Sequence, residues 1–332
     1  MPPAIVALLV TSLSVTVVMI VASGFGWRIL RCWNINSGSE GQLTLERRTY
    51  LISTLLCYVV VAELLSLWLF VHTAESLSDQ FVGAMCATGV LNVNRFGFPT
   101  LLLKIAIFFL GAAWLILNRV DNQADDYPLI RVKYGLLLII APLVWAEAIV
   151  QLCFFLGLNP NIITSCCGTL FSADAQGVGG ELSGFKPMPM LLLFYGVAVM
   201  TLTSGWWFVR HRRGGVLFAV ISLLAFAIAI AAIISFLSLY VYESPHHHCP
   251  FCLLKSGYDY VGYGLYLPLF IATAFGLGVG TITPFARIAS LREVIRGDAQ
   301  RFAVLALAGF SVFYAFASYL ILRSPLILIE WH

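Results

Sequence analysis

The sequence predicts an all-α, polytopic membrane helix bundle of about eight transmembrane helices, with both chain termini on the extracytoplasmic side. Three observations predict it. The chain has 332 residues, of which 60% are hydrophobic and only 11% charged, where a soluble domain carries about 25% charged residues. The apolar residues are gathered into eight runs, each near the length of about 20 residues that a bilayer-crossing helix needs. The basic residues fall almost entirely in alternate connections between those runs.

The expected spans are 3–26, 49–72, 99–118, 134–158, 188–209, 215–241, 258–284 and 302–322. The first has no basic residue before it and has Arg28 and Arg31 after it. It therefore reads as a helix of the bundle rather than a cleaved leader. Between spans one and two lie Arg28, Arg31, Arg47 and Arg48; between three and four, Arg119, Arg131 and Lys133. Between five and six lie Arg210, Arg212 and Arg213; between seven and eight, Arg287, Arg292, Arg296 and Arg301. These are fourteen of the nineteen lysines and arginines. Lys and Arg mark the cytoplasmic side, so these connections face inward. The opposite connections carry Glu75, Asp79, Asp174, Glu181, Glu243 and Asp259 and face outward. The net charge of +3 is modest, and no nucleic-acid partner is expected.

Spans two and four echo each other. Val61-Ala62-Glu63-Leu64 in one matches Trp145-Ala146-Glu147-Ala148 in the other. Each is followed by a cysteine-bearing outward loop and then by Gly97-Phe98-Pro99 or Gly184-Phe185-Lys186-Pro187. A duplicated helix–loop–helix unit would produce that pattern. Glu63 and Glu147 fall deep in their spans, where a carboxylate needs a partner or a proton. Proton delivery to a carrier is one reading. A neutral carboxyl hydrogen-bonded between helices is the preferred one, with Ser66 and Gln151 as local partners. Lys104, close to the outer end of span three, is expected to snorkel to water. Trp206-Trp207 beside Arg210 reads as an inner-interface anchor.

The eight cysteines sort by side. Cys86, Cys166, Cys167, Cys249 and Cys252 fall in outward connections, Cys57 and Cys153 in spans, and Cys32 on the basic side. An odd outward set cannot pair completely within one chain, which suits a relay in which a thiol attacks an existing disulfide and equally suits one cysteine left free. Beyond a bacterial inner membrane, or on the lumenal side of an ER membrane, those thiols meet oxidising conditions. The sharpest motif is His246-His247-His248-Cys249-Pro250-Phe251-Cys252. Two thiols in CxxC spacing store two electrons as a disulfide. A helix starting near Pro250 would place Cys249 at its positive end and favour thiolate. The histidines would add charge, or would join the cysteines in holding copper or zinc. A static disulfide is the third reading. Cys166 and Cys167 are adjacent, so a bond between them is strained. Two readings stand level: one meets Cys86 while the other exchanges with Cys249 or Cys252, or the two are a buried, inert pair of small residues under the loop. Phe251, Tyr258, Tyr260 and Tyr263 crowd the same end and suit either an aromatic belt or a quinone pocket, with Tyr266 beside them. Haem attachment is excluded because Leu253 follows Cys252. No phosphate-binding glycine loop or hydrolase nucleophile elbow is present.

From about Lys133 to Phe285 the chain resembles the vitamin K epoxide reductase family. The Cys249-Pro250-Phe251-Cys252-Leu253-Leu254 stretch resembles that family's catalytic pair, and Cys166 or Cys167 its loop cysteines. The resemblance implies a four-helix core over 133–285, flanked by a three-helix segment over 1–132 and a last helix within 286–332. It implies that Cys249 and Cys252 exchange electrons with a quinone, while a loop cysteine carries them to or from an extracytoplasmic thiol or disulfide protein. The adjacency of Cys166 and Cys167, the polar stretch 255–259 and the histidine run depart from the family's pattern.

Overall fold

A computed structural model describes residues 2–34, 39–159 and 187–326. Of the described residues 84% are helical, and none lies in a strand. Eight of the described helices are long and apolar enough to cross a bilayer. They are built on α1 (Pro3–Cys32), α2 (Glu40–Ser76), α4 (Gly97–Asp121), α5 (Ile130–Leu156), α6 (Pro187–His211), α7 (Gly215–Ala232), α9 (Val261–Ile282) and α10 (Arg292–Arg323). Helix α7 continues through a π-helical turn at Ile233–Leu237 into α8 (Ser238–Tyr242). A short helix, α3 (Ala87–Leu91), lies in the connection after α2. All eight spans expected from composition are present, and several extend well past the apolar run. Polar residues such as Glu40–Arg48 continue α2 because nothing in that stretch breaks a helix.

The surface is apolar, as lipid contact requires. Leu13, Leu102, Ile149 and Leu192 are each more than 60% exposed, as is Tyr58 at 73%. Together with the length and composition of the helices, this is the construction of an integral membrane protein.

The chain divides into two compact units. The first comprises 1–73, 94–158 and 281–298; the second comprises 74–93, 159–280 and 299–332. Within the first unit α5 packs on α1 and α4.

The first unit has a core of Val15, Met19, Leu56, Val60, Ile107, Trp114, Leu137, Ile140 and Val144 from α1, α2, α4 and α5. Near the basic ends of its helices, Lys133 pairs with Asp121 at 2.7 Å with both side chains fully buried. Asp121 also accepts the Leu129 amide at 2.7 Å, which fixes the turn joining α4 to α5.

The second unit packs Phe194, Ala225, Ala229, Phe236, Leu265, Leu269, Phe310 and Phe313. Lipid is as apolar as leucine, so helices here gain by close fit rather than by leaving water. Small residues supply the fit. On α9, a Cβ at Gly276 would strike Ser222 and one at Gly280 would strike Ala219, both on α7.

Candidate functional site

One end of the second unit assembles three cysteines from two separate connections. In the first, the last turn of α2 ends at Ser76 and the chain folds over Ser78–Gln80 before α3 begins at Ala87. Cys86 is the residue before α3, with extended backbone. The Glu75 carboxylate fixes this start by accepting the Ala87 amide at 2.8 Å. A carboxylate at a helix start satisfies an otherwise orphaned N–H. Glu75 also pairs with Lys255 at 3.5 Å, which ties the first connection to the second.

The second connection runs from Glu243 to Tyr260. Glu243 adopts a left-handed φ of 51° and ends α8. The chain then passes through the histidines and cysteines to two single 3₁₀ turns, Cys252–Leu254 and Ser256–Tyr258. Asp259 and Tyr260, at φ 51° and 54°, reverse the chain into α9. The helix expected from Pro250 is therefore not formed. Pro250 lies in a bend, and the long helix begins only at Val261. The polar stretch 255–259 hydrogen-bonds to itself instead of extending α9 toward the cysteines.

Cys86, Cys249 and Cys252 are 0%, 0% and 3% exposed, and their sulfurs all lie within 4.8 Å of one another. Cys86 Sγ is 3.4 Å from Cys249 Sγ. Thr88 Oγ1 is 3.2 Å from the same Cys249 sulfur, within reach to donate to it. Phe251, Tyr242 and Tyr258 close over the three thiols. Tyr242 donates its hydroxyl to the Cys249 carbonyl at 2.5 Å, and Tyr266 donates to the Pro250 carbonyl at 2.8 Å. Two phenols thus hold the backbone of the CxxC segment. Partial burial, followed by the nearby Cys252 and Cys249 sulfurs, pushes the Tyr258 phenol above its ordinary range, so it stays protonated.

Two of the three histidines have structural contacts, and His246 is exposed. His248 Nδ1 donates to the Ile234 carbonyl at 3.0 Å. Ile234 belongs to the π-helical turn, where a wider turn leaves carbonyls available. His247 stacks on Tyr242 with ring centres 4.1 Å apart. Among the described residues, the group of side chains spaced to hold a metal is the three cysteines, without a histidine.

The sequence-predicted residues are thus placed as follows. Cys86, Cys249 and Cys252 come together, with Phe251 and Tyr258 against them. Tyr260 is 56% exposed and tilts against Tyr263. Cys166 and Cys167, and the Gly184-Phe185-Lys186 part of the internal echo, lie outside the described residues. Sequence reasoning did not place Thr88, Glu75 or Tyr242 at the thiols; Glu75 entered it only as an acidic residue of a connection. Thr88 stands two residues after Cys86, and Glu75 twelve before Ala87. Only the tertiary fold of the connection brings them to the thiols.

Two further expectations are settled in the first unit. Lys104 does not snorkel: it is 2% exposed and turns inward to Glu147 at 2.8 Å and Glu63 at 3.3 Å. Ser66 does donate to Glu63, at 3.1 Å. Gln151 instead donates to the Leu8 carbonyl at 3.5 Å, while Ser12 from α1 reaches Glu147 at 3.3 Å.

Compared with protein-family models, with curated proteins and with solved structures, the chain matches none.

Proposed function

We propose that the protein is a membrane thiol–disulfide oxidoreductase whose outward-facing cysteines exchange electrons with a quinone. The single observation that carries this reading is the contact of three buried sulfurs drawn from two connections, with Cys86 at 3.4 Å from Cys249. Thiol–disulfide exchange requires three sulfurs within reach: an attacking thiolate, the sulfur it attacks and the sulfur that leaves. With Cys249 and Cys252 joined, the Cys86 thiolate attacks Cys249, forms a Cys86–Cys249 bond and releases Cys252 as thiolate. Thr88 donates to the Cys249 sulfur whenever that sulfur carries charge. When Cys249 and Cys252 close on each other from the dithiol, two electrons and two protons leave, and a quinone taking them becomes a quinol. The reverse flow uses the same atoms. Phe251, Tyr258, Tyr260 and Tyr263 supply ring surface and phenol donors for the quinone, and Tyr266 holds the segment.

In this reading the basic connections face the cytosol, both termini are extracytoplasmic, and the membrane is a bacterial inner membrane. The partner is an extracytoplasmic thiol or disulfide protein, with Cys166 or Cys167 as the residues that meet it. The resemblance of 133–285 to the vitamin K epoxide reductase family supports the assignment of Cys249 and Cys252 as the quinone-linked pair. The test is trapping. A Cys252→Ser variant should accumulate a Cys86–Cys249 bond, and the unaltered protein should reduce or oxidise an added quinone analogue. Absence of both results would overturn the proposal.

One observation favours a second reading, in which the same three thiolates hold a soft metal such as copper(I) or zinc. The spacing suits metal–thiolate bonds of about 2.3 Å. Zinc would still need a fourth ligand, and the nearest histidines are committed elsewhere. Stoichiometric metal retained through mild chelation, and lost in a Cys86→Ser variant, would support this reading against the first.

A further inference from the structure

Three ionisable side chains are sealed inside the first unit, well removed from its buried Lys133–Asp121 pair. Glu63 on α2 is 4% exposed, Lys104 on α4 2% and Glu147 on α5 0%. Lys104 Nζ lies 2.8 Å from Glu147 Oε1, 3.3 Å from Glu63 Oε1 and 2.8 Å from Ser66 Oγ. Ser12 on α1 donates to Glu147 Oε2. The remaining carboxylate oxygen, Glu63 Oε2, is buried and meets no donor. The carbonyl oxygen of Gln151, one turn after Glu147 and wholly buried, also meets none.

The group lies at bilayer depth. Lys104 is seven residues inside α4 and Glu147 nine residues from the end of α5. At 1.5 Å per residue this places them about 10–14 Å inside their helices, within a hydrocarbon layer about 30 Å thick.

The charges do not balance. One ammonium faces two carboxylates, so the fully ionised group carries a net negative charge where water cannot screen it. The neutral groups brought by the same four helices are Ser12, Ser66 and Gln151. Among the described residues, no other charged side chain is paired with the three. A single proton removes the imbalance. Glu63 Oε2 can take it without losing any existing hydrogen bond. A metal cation would have to settle beside the Lys104 ammonium and be repelled, so the geometry favours a proton over sodium.

We propose that Glu63, Lys104 and Glu147 form a binding site for one exchangeable proton within the membrane. A proton from water converts the Glu63 carboxylate to the acid while the Lys104–Glu147 ion pair persists, and its release restores the charged group. The site stands apart from the thiols and does not depend on their assignment.

The test is pH-difference infrared spectroscopy on the full-length protein in lipid nanodiscs. The wild type should show one neutral-carboxyl C=O stretch that titrates and shifts in heavy water. Glu63→Gln and Glu147→Gln should each lose it, because either change leaves one carboxylate matched to one ammonium. Lys104→Met should instead enlarge it, because both carboxyls then need protons, and this variant decides the matter if a glutamine variant fails to fold. A wild-type spectrum without the band, a band that survives in either glutamine variant, or a Lys104→Met spectrum with no gain overturns the proposal.

Discussion

Replacing Lys104 by methionine isolates the physics of the first unit. The side chain is nearly isosteric, so packing is little disturbed, but Glu147 loses its cation at 2.8 Å and Glu63 its cation at 3.3 Å. The orphaned Glu147 carboxylate cannot stay charged at bilayer depth, so it binds a proton when the protein folds. Holding a carboxyl of reference pKa about 4.3 neutral at pH 7 costs about 4 kcal/mol, at 1.36 kcal/mol per pH unit. That agrees with the roughly 3–5 kcal/mol observed when one partner of a buried ion pair is deleted. The sign with pH is fixed by the same account. The folded variant binds a proton that the unfolded chain does not hold at neutral pH, so its deficit shrinks as the pH falls, to about 1 kcal/mol at pH 5. Adding Glu147→Gln to Lys104→Met should recover most of the loss, because the one carboxyl then left without the ammonium is Glu63, the group proposed to take a proton in the parent as well. The assay is reversible unfolding in mixed micelles at the two pH values for the single and double variants. A Lys104→Met variant within about 0.5 kcal/mol of the parent, the scatter expected of an uninvolved surface site, would refute the reasoning. A loss independent of pH would refute it equally.

Four other outcomes are expected. Thr88→Val removes a hydroxyl 3.2 Å from Cys249 Sγ; a hydrogen bond to a charged group is worth about 1.5–3 kcal/mol, so alkylation of Cys249 at neutral pH should slow at least tenfold while Cys32 reacts as before. Glu75→Gln weakens both the Ala87 cap and the Lys255 pair, and hydrogen exchange over residues 86–91 should accelerate with little change over α4. His248→Ala orphans the Ile234 carbonyl and should destabilise the protein by about 1–3 kcal/mol without altering its metal content. Gly280→Leu drives a side chain into Ala219 and should cost about 1–3 kcal/mol or more in thermal unfolding.

The helices were legible in the sequence because one property, apolar length, decides them. Pro3, Pro187 and Gly215 start helices close to where the apolar runs begin. Lys104 was misread for a physical reason: its distance from the helix end permits snorkelling, and only the arrival of Glu63 and Glu147 from two other helices makes the inward rotamer better. At the thiols, the Cys249–Cys252 spacing was visible as a motif, but local rules misplaced its backbone. Pro250 fits the first turn of a helix, yet the segment is held by Tyr242 and Tyr266 through its carbonyls and never becomes one. Cys86 is 163 positions away from Cys249, and no periodicity or spacing encodes that contact. His248 is the converse case: a residue type that suggests metal chemistry is engaged by a carbonyl that the π-helical turn makes available.

The claim on which the functional account rests is that Cys86 and Cys249 can bond while Cys252 leaves. It is tested most directly by quenching intact membranes that contain the Cys252→Ser variant with acid and mapping the disulfides by non-reducing peptide mass spectrometry. The account predicts a Cys86–Cys249 linked peptide that disappears on reduction and is absent when Cys86 is also replaced by serine. Recovery of Cys86 and Cys249 as separately alkylated thiols, under conditions that oxidise other cysteines of the protein, would contradict it.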